Sequence, residues 1–212
     1  MKLYGYWRSS AAYRVRIALA FKQLSFESVS VHLVKDGGQQ HQADYKALNP
    51  AELVPTLQDG DLTLNQSLAM LEYIEEQYPE PALLPADVSK KAVIRAMALD
   101  IACDIHPLNN LRVLQYLTQT LQLTEQQKID WIHHWLQTGF QALEQRLATT
   151  SGEYCFGNEL TLADVCLVPQ VYNALRFQLD MTPYPIIQSI YQHCNQLTAF
   201  QSAAPEQQAD AQ

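Results

Sequence analysis

The spacing of apolar and polar positions changes several times along the first eighty residues. KLYGY (2–6) alternates as a strand does, residues 10–22 repeat at helical spacing, FESVSVHL (26–33) alternates again, and 42–48 reads as a short helix or turn. PTLQ and LTLN then flank Asp59-Gly60-Asp61, a hairpin signal, and a helix is predicted from about Ser67 to Gln77. The predicted order is βαβαββα. YPEPALLPAD (78–87) carries three prolines and cannot continue a helix, so it marks a linker. This divides the chain into an α/β domain over 1–80 and a second domain over 86–212.

Beyond the linker strand signals almost vanish. Helical patterns cover roughly 89–118, 125–148, 162–178 and 185–197, so the second domain is predicted to be all-α. Thr124 with Gln127 fits a capping box, and Thr161 with Asp164 fits another. The helix after Thr161, LADVCLVPQVYNAL, is apolar nearly all round, which places it at the centre of its domain, with Pro169 expected to kink it. The tail QSAAPEQQADAQ is small and polar and is expected to fray.

Charge narrows the functions. Twenty-two acidic against fourteen basic residues leave a net charge of −8, and no basic stripe exists to hold nucleic acid. No signal peptide and no apolar run near the ~18 residues of a membrane span are found, so a cytoplasmic protein without a membrane partner is expected. Cys103, Cys155, Cys166 and Cys194 form no CxxC pair and read as reduced thiols. No metal site is predicted, since the adjacent His133 and His134 point to different faces of a helix.

Against this acidic background RSSAAYRVR (8–16) holds three arginines around two serines. Ser9 and Ser10 sit where the first strand turns into the first helix. A hydroxyl there either caps the helix or donates to a thiolate stabilised by the helix terminus. Arg14 and Arg16 fall inside the helix and read as intradomain ion-pair partners, whereas Arg8 is freer to meet a ligand. Val54-Pro55-Thr56 opens a strand where a thioredoxin-like fold has its cis-proline loop, whose preceding residue offers its backbone to an extended peptide; a plain turn proline is the alternative. Gln66-Ser67 begins the next helix, with Ser67 read as its N-cap, and a helix N-terminus suits a carboxylate. In the helical half, His106 is at helical spacing from Asn109 and Asn110, and Arg112 and Arg176 each stand in a segment otherwise poor in positive charge.

Five motifs occur together in order: SSxxxRVRIAL (9–19), KDGGQQ (35–40), ALNPxxxVPTL (47–57), NQSLAMLEYIEE (65–76) and LTLADVCLVPQVYNA (160–174). The chain closely resembles the zeta class of glutathione transferases, the family of maleylacetoacetate isomerase, from about residue 2 to residue 200. The resemblance implies the glutathione transferase fold, a thioredoxin-like domain followed by an all-α domain, and a homodimer. It implies glutathione as cofactor and a small dicarboxylate as substrate. Ser9 matches the family's catalytic serine, with Ser10 and the helix start at Ala11 around the sulfur. Gln40, Val54, Gln66 and Ser67 match glutathione-binding positions, as do His106, Asn110, Leu111 and Arg112 in the helical half. Arg176 matches the residue that holds a substrate carboxylate and counts with the serines as catalytic, and Arg8 and Arg112 are similarly assigned to substrate. Ala11 stands where many members have cysteine, so no role of that thiol operates here. The implied reaction is the glutathione-dependent cis-trans isomerisation of maleylacetoacetate in phenylalanine and tyrosine breakdown. Maleylpyruvate isomerisation and general transfer to small electrophilic acids are the alternatives.

Overall fold

The computed structural model describes residues 1–211. The chain forms two compact units, one of Met1–Ala82 joined by the chain from Gln196 on, the other of Leu83–Asn195.

In the first unit four strands, β1 (Lys2–Gly5), β2 (Glu27–Ser30), β3 (Thr56–Asp59) and β4 (Leu62–Asn65), form a mixed sheet in the order β2-β1-β3-β4. β1 runs parallel to β2, with Leu3 opposite Ser28, and antiparallel to β3, with Leu3 opposite Leu57. The β3–β4 hairpin turns at Gly60, whose φ of 56° suits a residue without a Cβ. The helices α1 (Ser10–Phe21), α2 (Ala43–Leu48) and α3 (Ser67–Gln77) complete the expected βαβαββα order. Val15 and Leu19 of α1, and Met70 and Ile74 of α3, bury against Leu3 and Leu57 of the sheet. β2 is shorter than its alternating pattern. From His32 the backbone turns to a different partner, its N–H donating to Gln39 Oε1 at 2.8 Å, so the ladder ends at Ser30.

The second unit is helical. α4 (Val88–Leu99), α5 (Leu111–Gln115), α6 (Glu125–Thr150), α7 (Leu162–Arg176) and α8 (Pro185–Cys194) account for most of it. The pattern over 89–118 predicted one long helix; the structure interrupts it with π-helical turns at Asp100–Ile105 and Tyr116–Thr120 and a 3-10 turn at His106–Asn109. Pro107 lacks an N–H and restricts the residue before it, which accounts for the break in that region. α7 continues through Pro169 as one helix and is buried on nearly every side, as its composition requires. Both capping boxes form. Cys155, Cys166 and Cys194 are buried free thiols and Cys103 is exposed; burial pushes the Cys155 and Cys194 thiols up. No helix of the described residues is long and apolar enough to cross a membrane.

The tail corrects the expectation of fraying, and it packs on the first unit. α9 (Thr198–Ala203) buries Phe200 completely, Phe200 O accepts from Tyr13 Oη at 3.3 Å, and Ala203 O accepts from Arg16 Nε at 3.0 Å. Asp210 then accepts from Trp7 N–H at 3.2 Å and from Ser30 Oγ at 2.9 Å. Asp210 in the tail thus secures backbone on the loop that precedes α1.

Candidate active site

The loop from β1 to α1 is tightened by Ser9 N–H, which donates to Tyr6 O at 2.9 Å. Ser9 takes extended backbone angles (φ −68°, ψ 114°) and caps α1, its Oγ accepting from Ala12 N–H at 3.2 Å. That bond uses an oxygen lone pair and leaves the hydroxyl hydrogen free to donate. The N–H groups of the first turn and the hydroxyl of Ser9 therefore share one end of the helix, a setting that would suit a negative sulfur. Ser10, the first helical residue, is buried, and Ala11 follows it half-buried.

The arginines around the serines serve the scaffold in ways the sequence did not show. Arg14 is buried and donates from Nη1 to Ser67 Oγ at 3.2 Å, tying α1 to the start of α3. Arg16, also buried, donates to Ala203 O and, from Nη2, to Trp7 O at 3.0 Å. These bonds go to a hydroxyl and to carbonyl oxygens of the same unit. Arg8 packs on the unit's own aromatic rings: its guanidinium lies 4.6 Å from the centre of Trp7, and Nη2 donates to Tyr6 Oη at 3.0 Å.

At the start of α3 the N-cap is Gln66, not Ser67. Gln66 adopts φ 68°, outside the helix, and Ser67 is the first helical residue, buried with its hydroxyl on Arg14. Gln66 is exposed beside the unpaired N–H groups of that helix end. Val54 precedes a cis-proline, as its sequence context suggested. The residues on either side of it are fixed by a buried network. Leu53 O accepts from Tyr45 Oη at 2.7 Å and Asn49 Nδ2 at 2.8 Å, and both side chains also meet Thr56 Oγ1. Gln40 is buried in the 3-10 turn Gln39–His41. Ser9, Ser10, Ala11, Gln40, Val54, Gln66 and Ser67 thus all belong to the first unit.

In the second unit His106 opens a 3-10 turn, and Asn110 caps α5 by accepting from Arg112 N–H at 3.2 Å. Leu111 begins α5, and the Arg112 side chain is exposed. Trp131 Nε1 anchors this bend by donating to Leu108 O at 2.8 Å. Arg176 ends α7, exposed, with its guanidinium 4.5 Å from the Phe177 ring centre. Asp180, four residues further on, accepts from Thr182 N–H and Oγ1, bonds that hold its carboxyl below the ordinary aspartate value. His133 has a structural role, its Nε2–H donating to Phe177 O at 2.8 Å.

The N-terminal domain model of glutathione S-transferases matches residues 3–82, and the C-terminal domain model matches residues 109–204. The chain belongs to the glutathione transferase family. Within that family its similarity is to the zeta class. A probable maleylacetoacetate isomerase of Vibrio cholerae is 59% identical over 99% of this chain and 97% of its own. A maleylpyruvate isomerase of Ralstonia is 48% identical over the whole of both chains. Among solved structures, a bacterial zeta-class maleylpyruvate isomerase superposes with a TM-score of 0.97 at 47% identity, covering all of both chains. The maleylacetoacetate isomerase of Methylobacterium extorquens, solved with malonate and glutathione, gives 0.96 at 38% identity, again over both whole chains. The four-stranded sheet with its flanking helices is the thioredoxin-like half of the glutathione transferase fold, and the helical unit is the other half.

Sequence reading missed the side chains that hold the candidate site residues. The buried Arg14 beneath Ser67, and His41 and Glu52 beside Gln40, carry no local signal beyond their charge. Only the chain path brings them to their partners.

Proposed function

We propose that the chain is a glutathione-dependent cis-trans isomerase that converts maleylacetoacetate to fumarylacetoacetate in phenylalanine and tyrosine catabolism. The observation that carries this is the 59% identity, over nearly the full length of both chains, to a probable maleylacetoacetate isomerase. The domain over 1–80 is assigned to glutathione and the helical domain from 86 on to the substrate.

The residues suit the cofactor. Gln40 buries an amide oxygen that meets no protein donor among the described residues, and Gln66 is exposed at the N-terminus of α3. When bound, glutathione supplies a thiolate that adds reversibly to the conjugated alkene, so the former double bond rotates before elimination restores it trans. Ser9 donates to the sulfur from the hydroxyl hydrogen that capping leaves free, with Ser10 and the first turn of α1 around it. Each pKa unit by which they lower the thiol corresponds to about 1.4 kcal/mol of thiolate stabilisation. Gln66 and Ser67 hold the γ-glutamyl end, Val54 offers backbone to the cysteinyl part, and Gln40, His106, Asn110, Leu111 and Arg112 complete the binding set. Arg176 receives a substrate carboxylate, with Arg8 and Arg112 supplying further positive charge. Donors aimed at an oxygen where charge develops lower the barrier most, which is the service asked of the arginines.

A second reading, isomerisation of maleylpyruvate, is favoured by the Ralstonia relative and by the TM-score of 0.97 to a maleylpyruvate isomerase. Purified protein assayed on both maleyl substrates, with and without glutathione, separates the two. Faster turnover of maleylacetoacetate, abolished without glutathione, is expected; preference for maleylpyruvate selects the second reading. A homodimer in the cytoplasm is also proposed, and light scattering at micromolar concentration should give twice the chain mass. Arg176→Ala should lower kcat/KM for the maleyl substrate ten- to a hundredfold, roughly the 1.5 to 3 kcal/mol of a charge-assisted contact, while glutathione affinity holds. Arg176→Lys should recover only part, because an ammonium cannot bind a carboxylate in bidentate fashion. A lowered melting temperature with an unchanged substrate KM would instead make Arg176 a structural residue.

A further inference from the structure

The Gln40 side chain is seated with unusual definition for a glutamine. It lies against Gly38, where φ is 99° and an added Cβ would come within 2.6 Å of Gln40 Nε2 and 2.8 Å of Oε1. Its Nε2 lies 3.4 Å from Leu33 O and 3.0 Å from His41 Nε2. A carbonyl oxygen only accepts, so the amide nitrogen must face Leu33, and His41 Nε2 then has to accept the second amide hydrogen. The ring proton is left on Nδ1, which donates to Glu52 Oε2 at 2.5 Å. Lys46 Nζ holds the other oxygen of Glu52 at 3.1 Å. The hydrogen bonds from His41 and then Lys46 keep the Glu52 carboxyl below its ordinary value, so it remains an acceptor. Glu52 adopts φ 57°, the left-handed region, which marks its loop as held by its surroundings. The amide oxygen of Gln40 is then the one polar atom of that side chain left over, buried and with no donor among the described residues. A buried acceptor without a partner is costly, and a ligand N–H relieves that cost.

We propose that Glu52 and His41 act as a positioning couple: Glu52 fixes the His41 tautomer, His41 fixes the Gln40 amide, and Gln40 Oε1 is thereby presented to an N–H of the bound peptide. This rests on the reading of Gln40 as a glutathione contact. With the opposite tautomer, His41 Nε2–H would face the amide N–H donor to donor. The amide would turn over and present a donor where the peptide N–H needs an acceptor.

Calorimetric titration of the full chain with glutathione tests the couple. Gln40→Ala should weaken binding about three- to tenfold, the range for one buried hydrogen bond, and His41→Phe should weaken it by a similar factor. The double variant should bind no more weakly than Gln40→Ala alone, because both changes remove one interaction. His41→Gln, whose amide oxygen can accept from Gln40, should restore most of the loss. Long-range 15N spectra of the wild type should show His41 protonated at Nδ1 only. Wild-type affinity in Gln40→Ala would remove the reading on which the couple rests and the couple with it. Weakened Gln40→Ala beside unaffected His41→Phe, additive losses in the double variant, or a ring protonated at Nε2 would overturn the couple alone.

Discussion

The oxygen of Ser9 accepts from Ala12 N–H, and its hydrogen is left to donate, so Ser9→Ala removes two separate contributions. Loss of the cap should cost about 1 kcal/mol of stability. Loss of one donor aimed at the sulfur should lower turnover on the order of a hundredfold, by analogy with oxyanion donors. Glutathione binding should change far less, because the peptide is assigned to Gln66 and Ser67. Ser9→Thr keeps both the acceptor and the donor and should stay close to wild type in melts and in kinetics. If Ser9→Ala lost stability yet kept wild-type turnover, Ser9 would be a helix cap and nothing more. Both roles were foreseen as alternatives from RSSAAYRVR; the geometry makes them compatible.

Among the elements, α7 starts on a buried carboxylate. Asp164 is fully buried and accepts from Cys155 N–H at 2.7 Å, and from Thr161 N–H and Oγ1 at 2.8 Å. Burial raises its carboxyl above the ordinary value, while the bonds from Cys155 and Thr161 pull the other way. Asp164→Ala would leave those donors buried without this acceptor, so we expect a loss of at least about 3 kcal/mol in urea unfolding. Thr161→Ala keeps Asp164 on two backbone N–H groups and should cost about 1 kcal/mol. Equal losses in the two variants would show that the Cys155 bond carries no weight. The box itself was legible as Thr161 and Asp164, three residues apart. The bond to Cys155 was not, because nothing local relates the loop before α7 to that carboxylate.

For the molecule as a whole, the chain from Gln196 on packs with the unit that holds the N-terminus. Ending the chain before Thr198 would strip Phe200 from that core and remove the carbonyls that accept from Tyr13 and Arg16. Loss of one buried phenylalanine alone costs about 3 to 5 kcal/mol, so the melting temperature should fall by roughly 10 °C or more. A truncated chain that melted with the full-length protein would mean that the tail merely rests on the surface. Composition alone had suggested fraying only from Gln201 on, because short runs of alanine, serine and glutamine carry no amphipathic pattern strong enough to announce packing.

What the sequence determined by itself is whatever depends on neighbours along the chain. Period-two and helical patterns located the strands of the βαβαββα half and its α3, the three prolines marked a stretch that could not continue that helix, and residues three apart announced the capping boxes. Motif order, read through resemblance, led to the glutathione transferase fold and to a list of site residues. Tertiary structure alone decided what depends on distant partners. It ended β2 at Ser30, broke the helix expected over 89–118, and moved the N-cap of α3 to Gln66. It also turned Arg14 and Arg16 into buried supports and brought Glu52 to His41 beside Gln40. The physical reason is range: a cap or a period is satisfied within about one turn of chain, whereas a buried polar group takes whichever partner the fold brings near.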